Sequence, residues 1–330
     1  MPRLFGTRPD GETVEQVTIS SGALTASLLT HGATLQDLRL QGVAHPLVLG
    51  SPRLEDYLGP MAYFGATVGR YANRIAEGRF TLDGTTYQLD RNEAGRTCLH
   101  GGRAGIALRN WTLETSTPDS ATFALLLDDG DMGFPGRCAV TVSYRATGTA
   151  LEITMEATLS APCPISLAHH SYFSLDSTGD VTGQILQIAA QHYLPVDDRL
   201  IPLGKIAPVE ATPFDFRTPR EIGHHGYDHT FCLDPDRTAA RLTGRDGLVL
   251  EVETNAPGLQ VYNAAHLPTE GLPGLDGLRY GPRAGLALET QEWPDAPNQL
   301  TFPDPVVRPG EVYRNRTVYR FAQTAQAQGS

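Results

Sequence analysis

The chain has 330 residues, of which 26 are basic and 37 acidic, so its net charge is −11 at pH 7. That acidic balance argues against nucleic acid and anionic membrane surfaces as partners. The N-terminus lacks the apolar core of a signal peptide, and no run approaches the ~20 apolar residues that span a bilayer. The four cysteines form no CxxC pair. Together these features predict a cytoplasmic protein with reduced thiols.

Alternation of apolar and polar residues predicts short β-strands along most of the chain. The clearest alternating runs are Val17–Ile19, Leu38–Leu40, Val140–Tyr144, Leu151–Leu159 and Leu248–Val252. The segment Gly78–Asp90 is typical of a β-hairpin, with Asp83-Gly84 at its turn. No stretch sustains the 3.6-residue apolar period of an amphipathic helix, and 34 glycines and 24 prolines leave helices little room.

These patterns predict an all-β fold in the form of a large β-sandwich. No obvious linker or internal repeat divides the sequence, so we expect a single domain over residues 1–330. The tail at 322–330 is low in complexity, and we expect it to be frayed and disordered.

The segment Gly65–Phe80 contains two candidate ligand-binding residues, Arg70 and Arg74. Its glycines match neither GxGxxG nor GxxxxGK[ST], so a phosphate-binding loop is not indicated. Either arginine could contact a polar ligand, or one could brace the loop through hydrogen bonds to carbonyl groups. In the segment Cys98–Gly102, His100 precedes two glycines, a pattern that suits a ligand site or a structural turn equally.

Two adjacent histidines, His169 and His170, lie within Ile165–Leu175. In a strand their side chains point to opposite faces, so they cannot readily ligate one metal ion together. His170 shares its face with Tyr172, whereas His169 lies with Phe173. One histidine of the pair could transfer a proton near neutral pH, while the other packs against its neighbours.

A further segment, His224–Leu233, has three histidines and an aspartate within six positions. This density raises a zinc site at His224, His225 and His229 as a hypothesis. However, Gly226 argues against a helix that would place ligands four residues apart, and no His-Glu-x-x-His motif occurs. We therefore predict that the protein has no metal site.

The segment Gly285–Asn298 predicts a short strand that Pro294 ends abruptly. Leu286 and Leu288 fall on one face of this strand, and Glu289 falls on the other. A carboxylate near the end of a strand could serve as a catalytic base, since strands position side chains better than loops do. The alternative is a solvated glutamate on an edge strand.

Ordered motifs from about Asp56 to Phe321 resemble those of the aldose 1-epimerase family. They are GATVGRYANRI with Arg70, LHGG with His100, HHSYFSL with His170, YDHTF with Asp228, GLQVY with Gln260 and ALETQEWPDAPN with Glu289. Neither a Gly-x-Ser-x-Gly elbow nor a dinucleotide fingerprint indicates another enzyme class. The resemblance implies a galactose mutarotase-like supersandwich that interconverts the α and β anomers of free aldoses, such as D-galactose and D-glucose, without a cofactor.

The resemblance also implies a role for each of six residues. Mutarotation needs a base for the proton of the C1 hydroxyl and an acid for the ring oxygen, which we expect on opposite sides of the sugar. Glu289 would be the base and His170 the acid, and His100 would complete the catalytic set near the ring oxygen. The expected substrate-binding residues are Arg70, Asp228 and Gln260. The expected partner is a monosaccharide, and the expected state is a monomer or weak dimer.

Three positions depart from residues common in this family, since asparagine is frequent where His169, Ser174 and Thr97 stand. They adjoin the expected acid and His100, so they leave open whether galactose, glucose, xylose or arabinose is preferred. One alternative is a glycoside-cleaving enzyme on the same fold, with Asp228 and Glu289 as its carboxylate pair. Another is a sugar-binding module, although binding alone needs no histidine–glutamate pair.

Overall fold

The computed structural model describes residues 2–234 and 238–323, in which short strands form nearly all of the regular structure. The first strands are β1 (Arg3–Thr7), β2 (Thr13–Ser21), β3 (Leu24–Leu29), β4 (Thr34–Leu40), β5 (Thr67–Val68), β6 (Arg74–Ile75), β7 (Arg79–Leu82), β8 (Thr85–Gln88), β9 (Cys98–Leu99) and β10 (Thr112–Ser116). The middle strands are β11 (Ser120–Leu127), β12 (Cys138–Thr147), β13 (Ala150–Leu159), β14 (Cys163–Pro164), β15 (Ala168–His169), β16 (Tyr172–Phe173), β17 (Ile185–Ile188), β18 (His192–Tyr193), β19 (Ala207–Pro208) and β20 (Arg220–Glu221). The last strands are β21 (Asp228–Cys232), β22 (Ala240–Thr243), β23 (Leu248–Thr254), β24 (Gly258–Tyr262), β25 (Leu272–Pro273), β26 (Arg279–Tyr280), β27 (Leu286–Gln291), β28 (Val306–Val307) and β29 (Tyr313–Gln323).

In the part of the chain that the structure describes, helical structure is confined to single turns, as the glycine and proline content predicts. They are α1 (Leu54–Tyr57) and the 3₁₀ turns Ala76–Gly78, Ile106–Leu108, Asp131–Gly133, Leu275–Gly277 and Ala296–Asn298. Within the described residues, none of these helices is long and apolar enough to cross a membrane.

Three antiparallel sheets make up the two layers of a sandwich. A nine-stranded sheet, β10-β11-β12-β13-β29-β23-β22-β17-β20, forms one layer. The other layer contains the four-stranded sheet β1-β2-β3-β4 and the six-stranded sheet β16-β27-β24-β21-β18-β19. Strands β2 and β3 pack on β11 and β12, while β27 packs on β29. Two-stranded ladders are β14-β28, β15-β5, β25-β26, β6-β9 and β7-β8. The predicted all-β sandwich is confirmed.

A continuous apolar core lies between the layers because alternate residues of the facing strands point inward. In β12 the buried Val140, Val142 and Tyr144 alternate with residues that are at least partly exposed. Each fully buried aliphatic side chain of this kind stabilises the fold by about 1.5–3 kcal/mol relative to exposure. The predicted hairpin is also present as β7 and β8, with positive φ at both Asp83 and Gly84, as a tight hairpin turn requires.

The C-terminal end of the described chain is more ordered than expected at two residues. Ala322 and Gln323, which we expected to fray, pair with β23 as the last residues of β29. The rest of the expected tail, residues 324–330, lies outside the described residues. The four cysteines are unpaired, and three of them are buried.

Candidate active site

One face of the six-stranded sheet carries the candidate site. Residues directly paired across neighbouring strands share a face of a sheet. Gln260 of β24 pairs with Glu289 of β27 on one side and with Thr230 of β21 on the other. Continuing the register of β16 and β27 by two residues brings His170 opposite Glu289. His170, Glu289, Gln260 and Thr230 therefore form one row across the sheet.

Glu289 occupies an interior strand and is only 2% exposed, so the alternative of a solvated edge glutamate is wrong. Its Oε1 atom lies 3.6 Å from Nε2 of His170, and its Oε2 atom has no hydrogen-bond partner. Burial and the nearby charge of Asp228 raise the pKa of Glu289 well above its usual value, whereas the charge of Arg74 opposes that rise. The carboxylate is therefore poised to accept a proton.

The two adjacent histidines point in opposite directions, as predicted. The His170 ring faces the site, with its centroid 5.3 Å from that of His100, while its Nδ1 atom has no partner. His169 is wholly buried against Tyr144 and Tyr319, so it is the histidine that packs in the core. Burial lowers the pKa of His170 to about 4.

His170 and Glu289 lie side by side, which corrects the expectation that acid and base would flank the sugar. A separation of 3.6 Å between Nε2 and Oε1 is too small for a sugar ring to pass between them. Burial lowers the pKa of His170 and raises that of Glu289, so a single proton on the pair is held more strongly by the carboxylate than by the imidazole. These two side chains can therefore reach a bound molecule only from the same side.

His100 is held in one tautomer by the backbone. Its Nδ1 atom accepts a hydrogen bond from the Asn73 amide at 3.1 Å, and its own amide donates to the Asn73 carbonyl at 3.0 Å. A neutral imidazole that accepts at Nδ1 carries its hydrogen on Nε2. Burial, with the charges of His170 and Arg74, lowers the pKa of His100 well below its usual value. His100 is therefore a neutral hydrogen-bond donor, and its φ of +50° shows that the LHGG segment is also a tight turn.

Arg70 braces the loop rather than facing the site, which corrects its assignment as a substrate-binding residue. Its guanidinium donates to the carbonyl groups of Asp128, Pro135 and Gly136 at 2.8–3.1 Å, and the side chain is almost wholly buried. All these acceptors belong to one loop, and both Nη atoms are engaged with them. Of the two roles that the sequence allowed for these arginines, Arg70 therefore has that of bracing a loop through hydrogen bonds to carbonyl groups.

Arg74 is the arginine that reaches the site. Its Nη1 atom lies 3.8 Å from Oδ2 of Asp228, and its charge acts on Glu289 and His100. Asp228 in turn accepts a hydrogen bond from Nε2 of Gln260 at 2.5 Å. The structure thus groups Asp228 and Gln260 with the histidine–glutamate pair, as predicted, and adds Arg74 to them.

Sequence reasoning also missed an aromatic ring beside the two histidines. The half-buried Tyr63 has its ring centroid 4.8 Å from that of His100 and 6.3 Å from that of His170. No signal in the sequence marks this tyrosine, because it lies in a loop without periodicity or motif. For Arg74 the signal was present, since the sequence offered two arginines four residues apart, but the family resemblance assigned substrate binding to Arg70.

The hypothesis of zinc at His224, His225 and His229 gains no support from the fold. His225 and His229 pack around the ring of Phe214 instead. Within residues 2–234 and 238–323, three possible metal ligands lie within 4.8 Å of one another, and they are His100, His170 and Glu289. The tautomer of His100 argues against metal binding there, because a nitrogen that carries a hydrogen cannot ligate.

Comparisons with known proteins agree with this geometry. The family model described as aldose 1-epimerase matches residues 15–320. A galactose mutarotase of Mus musculus is 41% identical, with 97% of each chain covered, and an aldose 1-epimerase of Escherichia coli K12 is 39% identical, with 95% of this chain and 96% of that one covered. Among solved structures, an aldose epimerase homologue from C. elegans has a TM-score of 0.89 and 31% identity, covering 94% of this chain and 100% of that chain. A galactose 1-epimerase from Lactobacillus acidophilus has a TM-score of 0.87 and 26% identity, covering 98% and 99%.

Proposed function

The chain belongs to the aldose 1-epimerase family and is an isomerase that interconverts the anomers of aldoses, and we propose that Glu289 and His170 carry out its proton transfers. D-galactose is the first substrate to test, because relatives across most of the chain are galactose mutarotases. D-glucose is the second. Both are neutral monosaccharides. When their rings open or close, the pair of His170 and Glu289 takes up one proton and gives one away, so its total number of protons does not change.

The observation that carries this assignment is the spacing of the acid–base pair. The hydroxyl oxygen and the ring oxygen of a hemiacetal are bonded to the same carbon, C1, so they lie side by side. Nε2 of His170 and Oε1 of Glu289 also lie side by side, 3.6 Å apart in the buried row. One side chain can therefore meet each oxygen from the same direction.

Ring opening follows from this placement. The pair reacts in the form in which its one proton has passed from Glu289 to His170. Glu289 then takes the proton of the C1 hydroxyl, the bond between C1 and the ring oxygen breaks, and His170 donates its proton to the ring oxygen as it leaves. The products are an open-chain aldehyde with a new hydroxyl at the former ring oxygen, a protonated Glu289 and a neutral His170. General acid and general base catalysis each contribute about 10²–10⁴-fold.

Ring closure returns the enzyme to its starting state. Rotation about the C1–C2 bond presents the other face of the aldehyde, His170 takes the proton of the attacking hydroxyl, and Glu289 returns its proton to the carbonyl oxygen. Asp228, Gln260 and Arg74 hold hydroxyl groups away from C1 through this rotation, because they sit beside the pair on the same face of the sheet.

His100 supports charge at the reacting end without exchanging its own proton. Its Nε2–H is fixed as a donor by the Asn73 amide, so it can donate to the ring oxygen while that oxygen gains negative charge. A neutral donor is suited to this task because a second imidazolium beside His170 would disfavour the protonated acid.

Anomer exchange of freshly dissolved sugars tests the function directly. We expect the protein to accelerate the change in optical rotation of α-D-galactose and α-D-glucose, with no release of nitrophenol from aryl glycosides. The same assay with xylose and arabinose shows in which order the protein accelerates the anomer exchange of the four aldoses. Hydrolysis of the aryl glycoside without accelerated anomer exchange would instead support the glycoside-cleaving alternative, with Asp228 and Glu289 as its carboxylates.

The two arginines provide a paired prediction. Arg74→Ala should raise KM by roughly ten- to a hundredfold with a smaller loss in kcat, because hydrogen bonds to a charged group contribute about 1.5–3 kcal/mol and act on bound substrate and transition state alike. Arg70→Ala should instead lower the free energy of unfolding by roughly 3 kcal/mol, since it leaves buried carbonyl groups without donors. Steady-state polarimetry and urea unfolding of both variants measure the two effects. A folded Arg70→Ala with wild-type stability and a raised KM would reverse the assignment.

Chelation provides a second prediction. We expect EDTA to leave the rate of anomer exchange unchanged, because the tautomer of His100 leaves only His170 and Glu289 as ligands in the group of three found among the described residues. The metal content of the purified protein is measured by elemental analysis alongside the rate. The variant His224→Gln is the control for the second histidine-rich segment, His224–Leu233. A stoichiometric metal ion that is lost together with activity would contradict this expectation.

A further inference from the structure

We propose that Glu93 is a positioning residue that holds Arg74 apart from Asp228, so that both remain available to sugar hydroxyl groups. The proposal rests on the proposed function, because it assigns Arg74 and Asp228 to substrate binding. Glu93 belongs to none of the motifs that the sequence analysis singled out, and its effect is exerted through Arg74.

The contact between Glu93 and Arg74 is a two-point fork. Nε of Arg74 donates to Oε2 of Glu93 at 2.9 Å, and Nη2 donates to Oε1 at 2.8 Å. The side chain of Arg74 is 11% exposed and that of Glu93 is 30% exposed, so the pair is largely shielded from water. Bidentate arginine–carboxylate pairs fix orientation as well as distance. The fork therefore sets the plane of the guanidinium and leaves Nη1 directed toward the site.

Asp228 competes with Glu93 for the same guanidinium. Oδ2 of Asp228 lies 3.8 Å from Nη1 of Arg74, a distance at which the charges attract without a hydrogen bond. If the fork were lost, a small rotation of the guanidinium would let Arg74 pair directly with Asp228. Such a pair would occupy the hydrogen-bonding atoms of both residues. Glu93 thus keeps open a gap that a sugar hydroxyl can bridge.

The loop that carries Glu93 is firmly attached to the site. Glu93 and Thr97 exchange two backbone hydrogen bonds of 3.1 Å, which closes the loop. The side chain of Asn92 bonds both the amide and the carbonyl of Leu99, at 2.8 and 2.9 Å. Leu99 pairs with Arg74 in the ladder of β6 and β9 and precedes His100. The carboxylate of Glu93 is therefore held at a fixed distance from the strand that bears Arg74.

The test compares Glu93→Gln with Glu77→Gln, the same change at an exposed glutamate that pairs with Arg199 instead. We expect Glu93→Gln to raise KM for D-galactose roughly tenfold, the effect of weakening one charged hydrogen bond, with kcat changed much less. Glu77→Gln should retain the wild-type KM. Glu93→Asp should recover part of the loss, because it restores the negative charge that competes for Arg74.

A double variant separates positioning from a general structural role. In the Arg74→Ala background, adding Glu93→Gln should cause little further rise in KM, because a residue that acts through Arg74 has nothing left to position. An equal rise in both backgrounds, or a wild-type KM for Glu93→Gln, would overturn the proposal. Absence of anomer exchange in the wild-type protein would refute the proposed function instead, so the two failures are distinguishable.

Discussion

Replacing Glu289 by glutamine is expected to lower kcat by about 10²–10⁴-fold, the contribution of a general base. The amide has the shape of the carboxylate but cannot take the proton of the C1 hydroxyl. Glu289→Gln also removes a buried group whose ionisation is opposed by burial and by Asp228, so the fold should be retained or slightly stabilised. KM should change much less than kcat, because the base acts on the reacting proton and not on the bound ground state.

The matched control for this variant is Glu292→Gln. Glu292 lies just beyond the end of β27, and burial raises its pKa to about 7, yet it lies outside the row that contains His170 and Gln260. Polarimetry should therefore show near-wild-type turnover for Glu292→Gln. If Glu289→Gln kept wild-type turnover while Glu292→Gln lost it, the base would have to be reassigned to Glu292.

Replacing His170 by glutamine is expected to remove most of the enzymatic rate and to change the shape of its pH dependence. In the wild type the active pair of His170 and Glu289 holds one proton. As pH falls through the lowered pKa of His170, about 4, the pair gains a second proton and the base is lost. As pH rises through the raised pKa of Glu289, the pair loses its only proton and the acid is lost. The wild-type rate should therefore form a plateau between these two limits.

His170→Gln leaves Glu289 to titrate alone. The residual rate should then rise as pH increases through the raised pKa of Glu289, because only the ionised carboxylate acts as a base, and the alkaline limb should disappear. The measurement is the enzymatic excess over spontaneous mutarotation from about pH 4 to 9, with the exposed His224→Gln as the control. A full rate with an unchanged alkaline limb in His170→Gln would assign the acid to another residue, and His100 would become the first candidate.

Much of the fold and of the site could be predicted because the signals are local. Alternation over Val140–Tyr144 predicts which side chains point inward, since successive residues of a strand face opposite ways. The same rule placed Glu289 opposite the apolar face of its strand and separated His169 from His170. Asp83-Gly84 predicts a hairpin turn because these residues tolerate positive φ. The strands, the all-β class and the proposed catalytic pair therefore followed from residue patterns and from ordered motifs in the sequence.

Tertiary structure alone decided which groups meet and in what state. The residue patterns around Arg70 and Arg74 do not distinguish the two arginines, but their contacts in the fold do. Arg70 donates to three carbonyl groups of one loop, whereas Arg74 is held by the carboxylate of Glu93. The tautomer of His100 depends on the amide of Asn73, 27 residues earlier in the chain. The side-by-side placement of His170 and Glu289 depends on the register of two strands far apart in the sequence. Burial, charge proximity and hydrogen-bond direction are properties of distances between residues, and such distances are set by packing rather than by local sequence.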